Sequence, residues 1–207
     1  KDQDHIRIII DNNTNIPDRT KAILGQGESP VNELVRSAKM LEKSGADFLI
    51  MPCNTAHYFI DQIKKNVEIP LINMPEEAAR YTCEKYGKDA VVGIMATDGT
   101  IKTKIYENYY NELGIKTLIP VRTQAHIMEF IYDVIKKGNY GAGPDLFFKC
   151  LEELKELGAN VFLLGCTELS AAQYLYKFEG SFINPMEVLA EKAILYAGGD
   201  LNKDGIN

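Results

Sequence analysis

Two cysteines in this sequence, Cys53 and Cys166, reach the same kind of position by the same route. Each thiol ends an apolar run that starts at a Gly-Ala helix stop, over residues 45–53 in the first case and 158–166 in the second. Such a run predicts a short buried strand with the thiol at its carboxyl end. Two thiols that face one bound molecule from opposite sides can remove a proton on one side and return one on the other.

The similarity extends beyond the cysteines and indicates an internal duplication. Downstream of each thiol, an Ile-Asn pair precedes a Met-Pro-Glu or Pro-Met-Glu triplet, at 72–76 and at 183–187. A pseudo-two-fold arrangement of the two copies would bring both thiols to one cleft. Upstream, apolar residues at helical spacing match in order: Leu34 with Phe147, Ala38 with Leu151, and Leu41 with Leu154.

Composition narrows the class of protein. The 207 residues carry a net charge of -6 with the acidic residues spread along the chain, which predicts no nucleic-acid partner. No apolar run reaches the length of a membrane span and no signal peptide opens the sequence, so we expect a cytoplasmic protein without membrane contact. The remaining cysteines, Cys83 and Cys150, fall within helical patterns and are expected to be buried or neutral.

Continuous Val, Ile and Leu runs that alternate with helical patterns predict a three-layer α/β fold with mostly parallel sheets. We expect two pseudo-symmetric domains, residues 1–86 and 87–177, with a ligand cleft between them. A crossover strand, a last helix that packs back and a polar tail expected to fray would complete the chain over 178–207. The predicted strands cover residues 7–10, 47–51, 71–72, 90–95, 116–120, 161–164 and 182–183.

The repeat also predicts a missing segment. In the second half, the strand over 90–95 and a helix over 100–113 precede the strand over 116–120, which is the counterpart of residues 7–10. The first half is therefore expected to lack an N-terminal strand and helix, which leaves the activity of this chain by itself open.

Polar residues follow the predicted strands, at the edge where open parallel sheets bind ligands. Because each polar cluster also precedes a helix or turn, backbone N–H groups are expected to point into the same cleft and to favour an anion. The pattern predicts a site for a small carboxylate. The clusters lie at residues 11–13, which include Asn12, and at 53–55, 97–100 and 166–168.

Each candidate residue also has an ordinary structural role. Free cysteine is commonly a small buried residue, although duplicated placement beside polar residues argues against that role for both thiols. A redox disulfide is a minor alternative, and a zinc site at Cys53 and His57 lacks further ligands at the usual spacing, so no metal is predicted. The remaining polar residues can cap a helix, donate to a ligand or do both: Asn54, Thr55, Thr97, Thr167 and Thr100, the last being the better candidate for a cap.

Two cations stand near the predicted cleft. Arg19 lies in a proline-marked loop after the first predicted strand, where a surface role is the default but bidentate binding of a carboxylate is also open to it. Lys136 ends a predicted helix, where a cation interacts favourably with the helix dipole. The residues alone leave both as surface charges.

Taken together, the motifs resemble the aspartate/glutamate racemase family, in particular its aspartate racemase branch. The resemblance runs from Arg7 to about Tyr196, nearly the whole chain. It is carried by Asn12 and Asn13 with the following IPDRT at 16–20, MPCNTAH at 51–57, ATDGT at 96–100 and GCTE at 165–168.

The resemblance implies racemisation of an acidic amino acid without PLP or any other cofactor, with Cys53 and Cys166 as the two bases. Glutamate racemases carry His after the second Cys-Thr, whereas this chain has Glu168, which favours aspartate as the substrate. A homodimer is also implied. The expected substrate-binding residues are Asn54, Thr55, Thr97 and Thr167, with Arg19 and Lys136 on the side-chain carboxylate, and the expected supporting residues are Asn12, His57 and Glu168.

Two departures from the family pattern are visible. The glycine-rich first strand is absent, and Asn184 stands where Asp is common.

Two alternative functions stay open. Racemases, isomerases and decarboxylases of similar fold, such as hydantoin racemases, maleate isomerases and arylmalonate decarboxylases, act on other small carboxylates, and a non-catalytic amino-acid-binding protein would use the same cleft.

Overall fold

The computed structural model describes residues 1–201, and residues 202–207 of the tail expected to fray lie outside them. A π-helix (Phe130–Ile135) and 3-10 turns (Asp2–Asp4, Thr55–Phe59, Tyr140–Ala142) supplement the regular elements. The strands are β1 (Val91–Ala96), β2 (Lys116–Leu118), β3 (Val161–Gly165) and β4 (Phe182–Ile183). The helices are α1 (Arg19–Ile23), α2 (Val31–Lys43), α3 (Ile60–Lys64), α4 (Met74–Tyr86), α5 (Asp98–Thr103), α6 (Ile105–Glu112), α7 (Gln124–Glu129), α8 (Asp145–Glu156), α9 (Thr167–Tyr176) and α10 (Pro185–Tyr196).

The four strands form one parallel sheet in the order β2-β1-β3-β4. Successive residues of a strand point to opposite faces, and β3 shows this clearly. Phe162 and Leu164 enter a buried cluster with α7 and α8, whereas Val161 and Leu163 enter a second cluster with α4 and α6. Helices cover both faces, which confirms the predicted α/β architecture with parallel strands.

The first half forms no comparable sheet within residues 1–201. Its segments at 47–51 and 71–72 meet in an isolated parallel bridge between Leu49 and Leu71. Leu49 N–H donates to Pro70 O at 2.8 Å, and Ile72 N–H donates to Leu49 O at 3.0 Å. The predicted strands are therefore too long here. A two-residue partner supplies a single rung, and the proline beside it has no N–H to extend the ladder.

The strand predicted over residues 7–10 is wrong. Ile8 and Ile10 are 73% and 81% exposed, so this apolar segment is not covered by another element. A strand needs a hydrogen-bonded neighbour, and the segment pairs with none in the described part of the chain.

The helix predicted over 100–113 is two helices, α5 and α6. Lys104 lies between them with a left-handed backbone, φ 54°, a conformation that few residues other than glycine adopt. The break carries no glycine or proline, so the sequence offers no local signal for it.

Helix α10 packs back onto the first half, as predicted. Lys192 Nζ lies 3.1 Å from Glu77 Oε2 on α4, and the ring of Tyr196 lies 4.9 Å from that of Phe48. The division of the chain at residues 86 and 177 stays a prediction.

Candidate active site

The register of the sheet places the second thiol. Ala96 at the end of β1 pairs with Gly165 at the end of β3, so Thr97 and Cys166 emerge side by side at the carboxyl edge of the sheet. Gly165 permits this close pairing, because a Cβ on it would lie 2.9 Å from both Ala96 Cβ and Met95 O. Cys166 is the N-cap of α9.

The first thiol reaches the same place from the first half of the chain. Cys53 follows the bridge at Leu49 and precedes the 3-10 turn that begins at Thr55. Gly99 on α5 lets the first half approach, because a Cβ there would lie 3.0 Å from Thr20 Cα and 3.2 Å from Thr55 Cγ2. Both thiols line one cavity of about 40 Å³.

The cavity brings together most of the predicted site residues and three that were not predicted. The unpredicted residues are Asp18, Thr20 and Tyr132. Tyr132 lies four residues before Lys136, and this helical spacing was a usable signal that the two share a face. The predicted residues that line the cavity are Arg19, Cys53, Asn54, Thr55, Thr97, Lys136, Cys166, Thr167 and Glu168.

Two predicted supporting residues lie outside the cavity. Asn12 is exposed and lines a separate apolar groove of about 330 Å³, which shares Cys53 and Arg19 with the cavity. Asn12 therefore contacts the groove and not the cavity, and its supporting role stays a prediction. His57 is buried behind Cys53.

The His57 ring has a structural role. Its Nε2 accepts the Met74 N–H at 3.2 Å, so the proton must be on Nδ1, which donates to Cys53 O at 2.8 Å. Burial lowers the pKa of His57 to about 4, which keeps the ring neutral. The ring therefore ties the Cys53 loop to the start of α4, and neither nitrogen is left to bind zinc.

The two thiols have different surroundings. Cys166 is 6% exposed, and its Sγ donates to Glu168 Oε2 at 2.7 Å. Burial, and then the charge of Glu168, raise the pKa of the Cys166 thiol well above its usual range. Cys53 is half-buried, and within residues 1–201 its Sγ has no hydrogen-bond partner. The proton of Cys166 is thus held firmly in this structure.

Four buried threonine hydroxyls form a network beside the thiols. Thr55 Oγ1 lies 3.1 Å from Thr97 Oγ1 and 2.9 Å from Thr100 Oγ1, and Thr20 Oγ1 donates to Thr97 Oγ1 at 3.2 Å. Such a network fixes the hydroxyls of Thr55 and Thr97 at the cavity wall before any ligand binds. A fixed set of hydroxyls suits the recognition of a small polar molecule.

Asn54 offers the cavity an unused donor. Its Oδ1 accepts from the buried hydroxyl of Tyr106, which orients the amide. Its Nδ2 is buried and has no hydrogen-bond partner among the described residues. A buried N–H group without a partner is costly, so a bound acceptor in this cavity would satisfy it.

The capping roles differ from those predicted. Thr97, and not Thr100, caps α5, since Thr97 Oγ1 accepts the Thr100 N–H at 3.3 Å. Neither Asn54 nor Thr167 caps a helix through its side chain. Their polar groups remain available at the cavity, apart from the bond from Thr167 Oγ1 to Glu168 Oε2 at 3.1 Å.

Both predicted cations line the cavity, and each is held in place. Arg19 donates to the carbonyls of Ile16 and Pro17 at 3.3 and 2.9 Å. Lys136 Nζ lies 3.6 Å from Glu168 Oε1 and 4.2 Å from the centre of the Tyr132 ring. Burial acts to lower the pKa of Lys136, but the neighbouring acidic groups, Glu168 foremost among them, together outweigh burial and raise that pKa, so the side chain is a cation.

One contact ties the two halves together over the cavity. The Tyr132 hydroxyl donates to Asp18 Oδ2 at 3.2 Å, and Asp18 also caps α1 by accepting the Lys21 N–H at 2.9 Å. Tyr132 lies in the π-helix, an irregularity that often occurs at functional sites. The cavity therefore has walls from both copies of the repeat.

The sequence profile of the Asp/Glu/hydantoin racemase family matches residues 1–193. The chain belongs to this family. The match confirms the family that the cysteine motifs resemble. Proteins named as amino-acid racemases are among the relatives of the chain.

Relatives agree with this assignment. The chain is 26% identical over 161 residues to the broad specificity amino-acid racemase RacX of Bacillus subtilis, covering 78% of this chain and 69% of RacX. It is 28% identical over 143 residues to a glutamate racemase of Lysinibacillus sphaericus, covering 66% and 51%. The chain thus spans about half the length of that glutamate racemase.

A solved structure is similar over the whole fold. The Picrophilus torridus aspartate racemase superposes with a TM-score of 0.85 at 29% identity, covering 99% of this chain and 85% of that one. Separately, none of the helices in residues 1–201 combines the length and apolar character needed to cross a bilayer.

Proposed function

We propose that this chain racemises aspartate at Cα, without a cofactor, by proton transfer between Cys53 and Cys166. The observation that carries the proposal is that both thiols line one cavity together with two cations and the Asn54 amide, whose Nδ2 has no hydrogen-bond partner among residues 1–201. One thiol would remove the Cα proton while the other returns a proton to the opposite face. Inversion needs two such groups, and the two free thiols of this cavity would supply them.

The surrounding donors would do most of the catalytic work. A turnover of about 10 per second tolerates a barrier of about 16 kcal/mol, and an amino-acid Cα–H is a very weak acid. Charge that develops on the α-carboxylate must therefore be stabilised by donors fixed in advance. We assign this role to the Asn54 amide, the hydroxyls of Thr55 and Thr97, and the backbone N–H groups at the start of α9.

The cations favour a substrate with a second carboxylate. Arg19 and Lys136 would hold the distal carboxylate, since charge-assisted hydrogen bonds are the strongest that a protein makes to such a group. The likeness to the Picrophilus torridus aspartate racemase and the presence of Glu168 support aspartate. The match to glutamate racemases makes glutamate the competing substrate.

The test is to incubate the chain with L-aspartate and L-glutamate separately and to resolve the enantiomers of each. We expect D-aspartate to form faster than D-glutamate. A chain that is stabilised against heat by aspartate but causes neither inversion nor loss of the α-proton into deuterated water would be a binding protein, contrary to the proposal.

Two further expectations accompany this function. We propose a homodimer, from the resemblance to the family, and a cytoplasmic location, from the sequence pattern. Light scattering on the purified chain would test the dimer, and a monomer at assay concentrations would contradict it.

A further inference from the structure

A tyrosine outside the cavity holds one of the cavity's buried polar groups. Asn54 is buried, and its Nδ2 has no hydrogen-bond partner among residues 1–201. Its Oδ1 accepts from the hydroxyl of Tyr106 on α6, which is 52 positions away in the chain. Tyr106 is fully buried and is not among the residues that line the cavity.

We propose that the Tyr106 hydroxyl determines which end of the Asn54 amide faces the cavity, and so makes this part of the cavity bind a hydrogen-bond acceptor such as a carboxylate. This inference rests on the proposed function and adds to it a residue that determines specificity. Tyr106 acts through Asn54 and is therefore a positioning residue.

The two ends of the amide differ in chemistry, because the oxygen accepts hydrogen bonds and the nitrogen donates them. With Oδ1 toward Tyr106, the hydroxyl proton has an acceptor and the amide N–H groups are left for the cavity. With the amide turned over, Oδ1 would face the cavity, and the buried hydroxyl proton of Tyr106 would lose the acceptor that it has among the described residues. A buried donor without an acceptor is costly, so the first orientation is favoured.

Tyr106 meets two requirements of this role: its hydroxyl keeps its proton and its ring is fixed. Burial, and then the neighbouring Tyr110, Cys166 and Cys53, raise the pKa of Tyr106 well above its usual range. Its ring belongs to the buried cluster between the sheet and helices α4 and α6. The amide is therefore oriented before a ligand binds, and binding does not have to order it.

The second copy of the repeat has no amide to orient. Thr167 stands after Cys166 in the position that Asn54 has after the first thiol, and a hydroxyl donates or accepts by rotation. Among the described residues that line the cavity, Asn54 carries the only side-chain amide. The second half of the chain therefore supplies, through Tyr106, the orientation of a binding group in the first half.

The test measures binding of succinate by isothermal titration calorimetry. Succinate carries both carboxylates of aspartate and has no stereocentre, so binding is measured without racemisation. Tyr106→Phe should raise the Kd by about tenfold or more, because the amide loses its fixed orientation and with it a hydrogen bond to a charged group.

Tyr110→Phe is the matched control, because Tyr110 is also fully buried and lies one turn further along α6. Its hydroxyl lies 2.9 Å from Thr82 Oγ1 on α4, and it is not among the residues that line the cavity. Since it shares no hydrogen-bond partner with the cavity, its replacement should change the Kd for succinate by less than about twofold.

A double-mutant cycle separates this role from simple loosening of the site. In the Asn54→Ala background, Tyr106→Phe should change the Kd by less than about twofold, since no amide is left to orient. An unchanged Kd in Tyr106→Phe alone overturns the inference. The same rise in Kd with and without the Asn54 amide also overturns it.

If Tyr106→Phe does not fold, Asn54→Asp takes its place. An Asp oxygen can still accept from Tyr106 while the cavity loses its donor, so the Kd should rise by about tenfold or more, and an unchanged Kd overturns the inference. Binding with the expected pattern but without inversion of aspartate supports the inference and contradicts the proposed function. A chain that binds neither succinate nor aspartate contradicts both.

Discussion

Cys53 and Cys166 follow matching sequences but differ in the secondary structure before them and in the residues that they contact. Cys166 follows β3, a strand with neighbours on both sides, and is buried against Glu168. Cys53 follows an isolated bridge, is half-buried and is steadied through its own carbonyl by His57. Duplication therefore accounts for where each thiol lies, whereas the contacts differ: Glu168 accepts the proton of the Cys166 thiol, and His57 holds the backbone carbonyl of Cys53.

The largest expected effect is on catalysis, where the two thiols should be equally necessary. Cys53→Ala and Cys166→Ala should each lower the rate of racemisation by about 10²–10⁴-fold, the usual contribution of a positioned acid or base. Chiral chromatography of aspartate measures the rate. Cys83→Ala, outside the cavity, is the control and should keep full activity. Full activity in either cavity variant would contradict the two-base scheme.

The next largest effect is on the KM for aspartate, and it should differ between two adjacent lysines. Lys136→Gln should raise the KM for aspartate by about 10- to 100-fold, because a hydrogen bond to a charged group contributes about 1.5–3 kcal/mol. Lys137 is 70% exposed and pairs with Asp133 at 2.6 Å, so Lys137→Gln should change the KM less than about twofold. Steady-state kinetics of both variants checks this, and an equal KM in the two would remove Lys136 from the substrate site.

A smaller effect is expected on stability, and it should differ between two glutamates. One is buried in the second half of the chain, which forms the sheet, and the other is more exposed in the first half. Glu153 on α8 is 3% exposed and accepts the N–H groups of Val121, Arg122 and Thr123 at 2.8–3.0 Å. Glu42 on α2 accepts two N–H groups and is half-buried. Glu153→Gln should lower the free energy of unfolding by about 1–3 kcal/mol, and Glu42→Gln by less, in urea titrations.

The same glutamate should make stability depend on pH. Burial acts to raise the pKa of Glu153, but the N–H and hydroxyl donors outweigh it and lower the pKa to about 2 from an ordinary 4.5. The stabilisation is therefore complete above about pH 4.5 and is lost as the pH falls from there through about 2. Thermal melts should show Glu153→Gln approaching the parent chain near pH 2. A constant gap in Tm from pH 7 to 2 would show that the carboxylate charge is not responsible.

The smallest effect tests whether the two copies of the helix stop are equivalent. Gly45 and Gly158 have left-handed backbones, φ 86° and 99°, and a Cβ on either would meet nothing within 4 Å. Gly45→Ala and Gly158→Ala should each cost about 1–2 kcal/mol, from backbone strain alone. Urea unfolding of both variants checks this, and costs that differ by more than about 1 kcal/mol would show that the repeat is not matched at these turns.

The sequence predicted correctly those features that depend on residues close together in the chain. The ends of β1, β3 and β4 lie within about one residue of the predicted ranges. Continuous apolar runs leave few alternatives to a buried parallel strand. The duplicated motifs around Cys53 and Cys166 predicted that both thiols would reach one cleft, and both line one cavity.

What the sequence did not predict depends on contacts between distant segments. Residues 7–10 look like a strand but pair with no neighbour in residues 1–201, and no local pattern reports a missing partner. Tyr132 and Asp18 meet across 114 positions of chain. The contact between Lys136 Nζ and Glu168 Oε1 at 3.6 Å likewise joins the end of the π-helix to α9.

In the proposed mechanism, two thiols act on opposite faces of one Cα. Racemisation of L-aspartate in deuterated water, stopped early and followed by mass spectrometry of each enantiomer, distinguishes this mechanism from proton transfer by one base. With two thiols, D-aspartate should carry deuterium at Cα while the remaining L-aspartate still carries protium. D-aspartate that retains protium, or L-aspartate that gains deuterium as fast as the product forms, would contradict it.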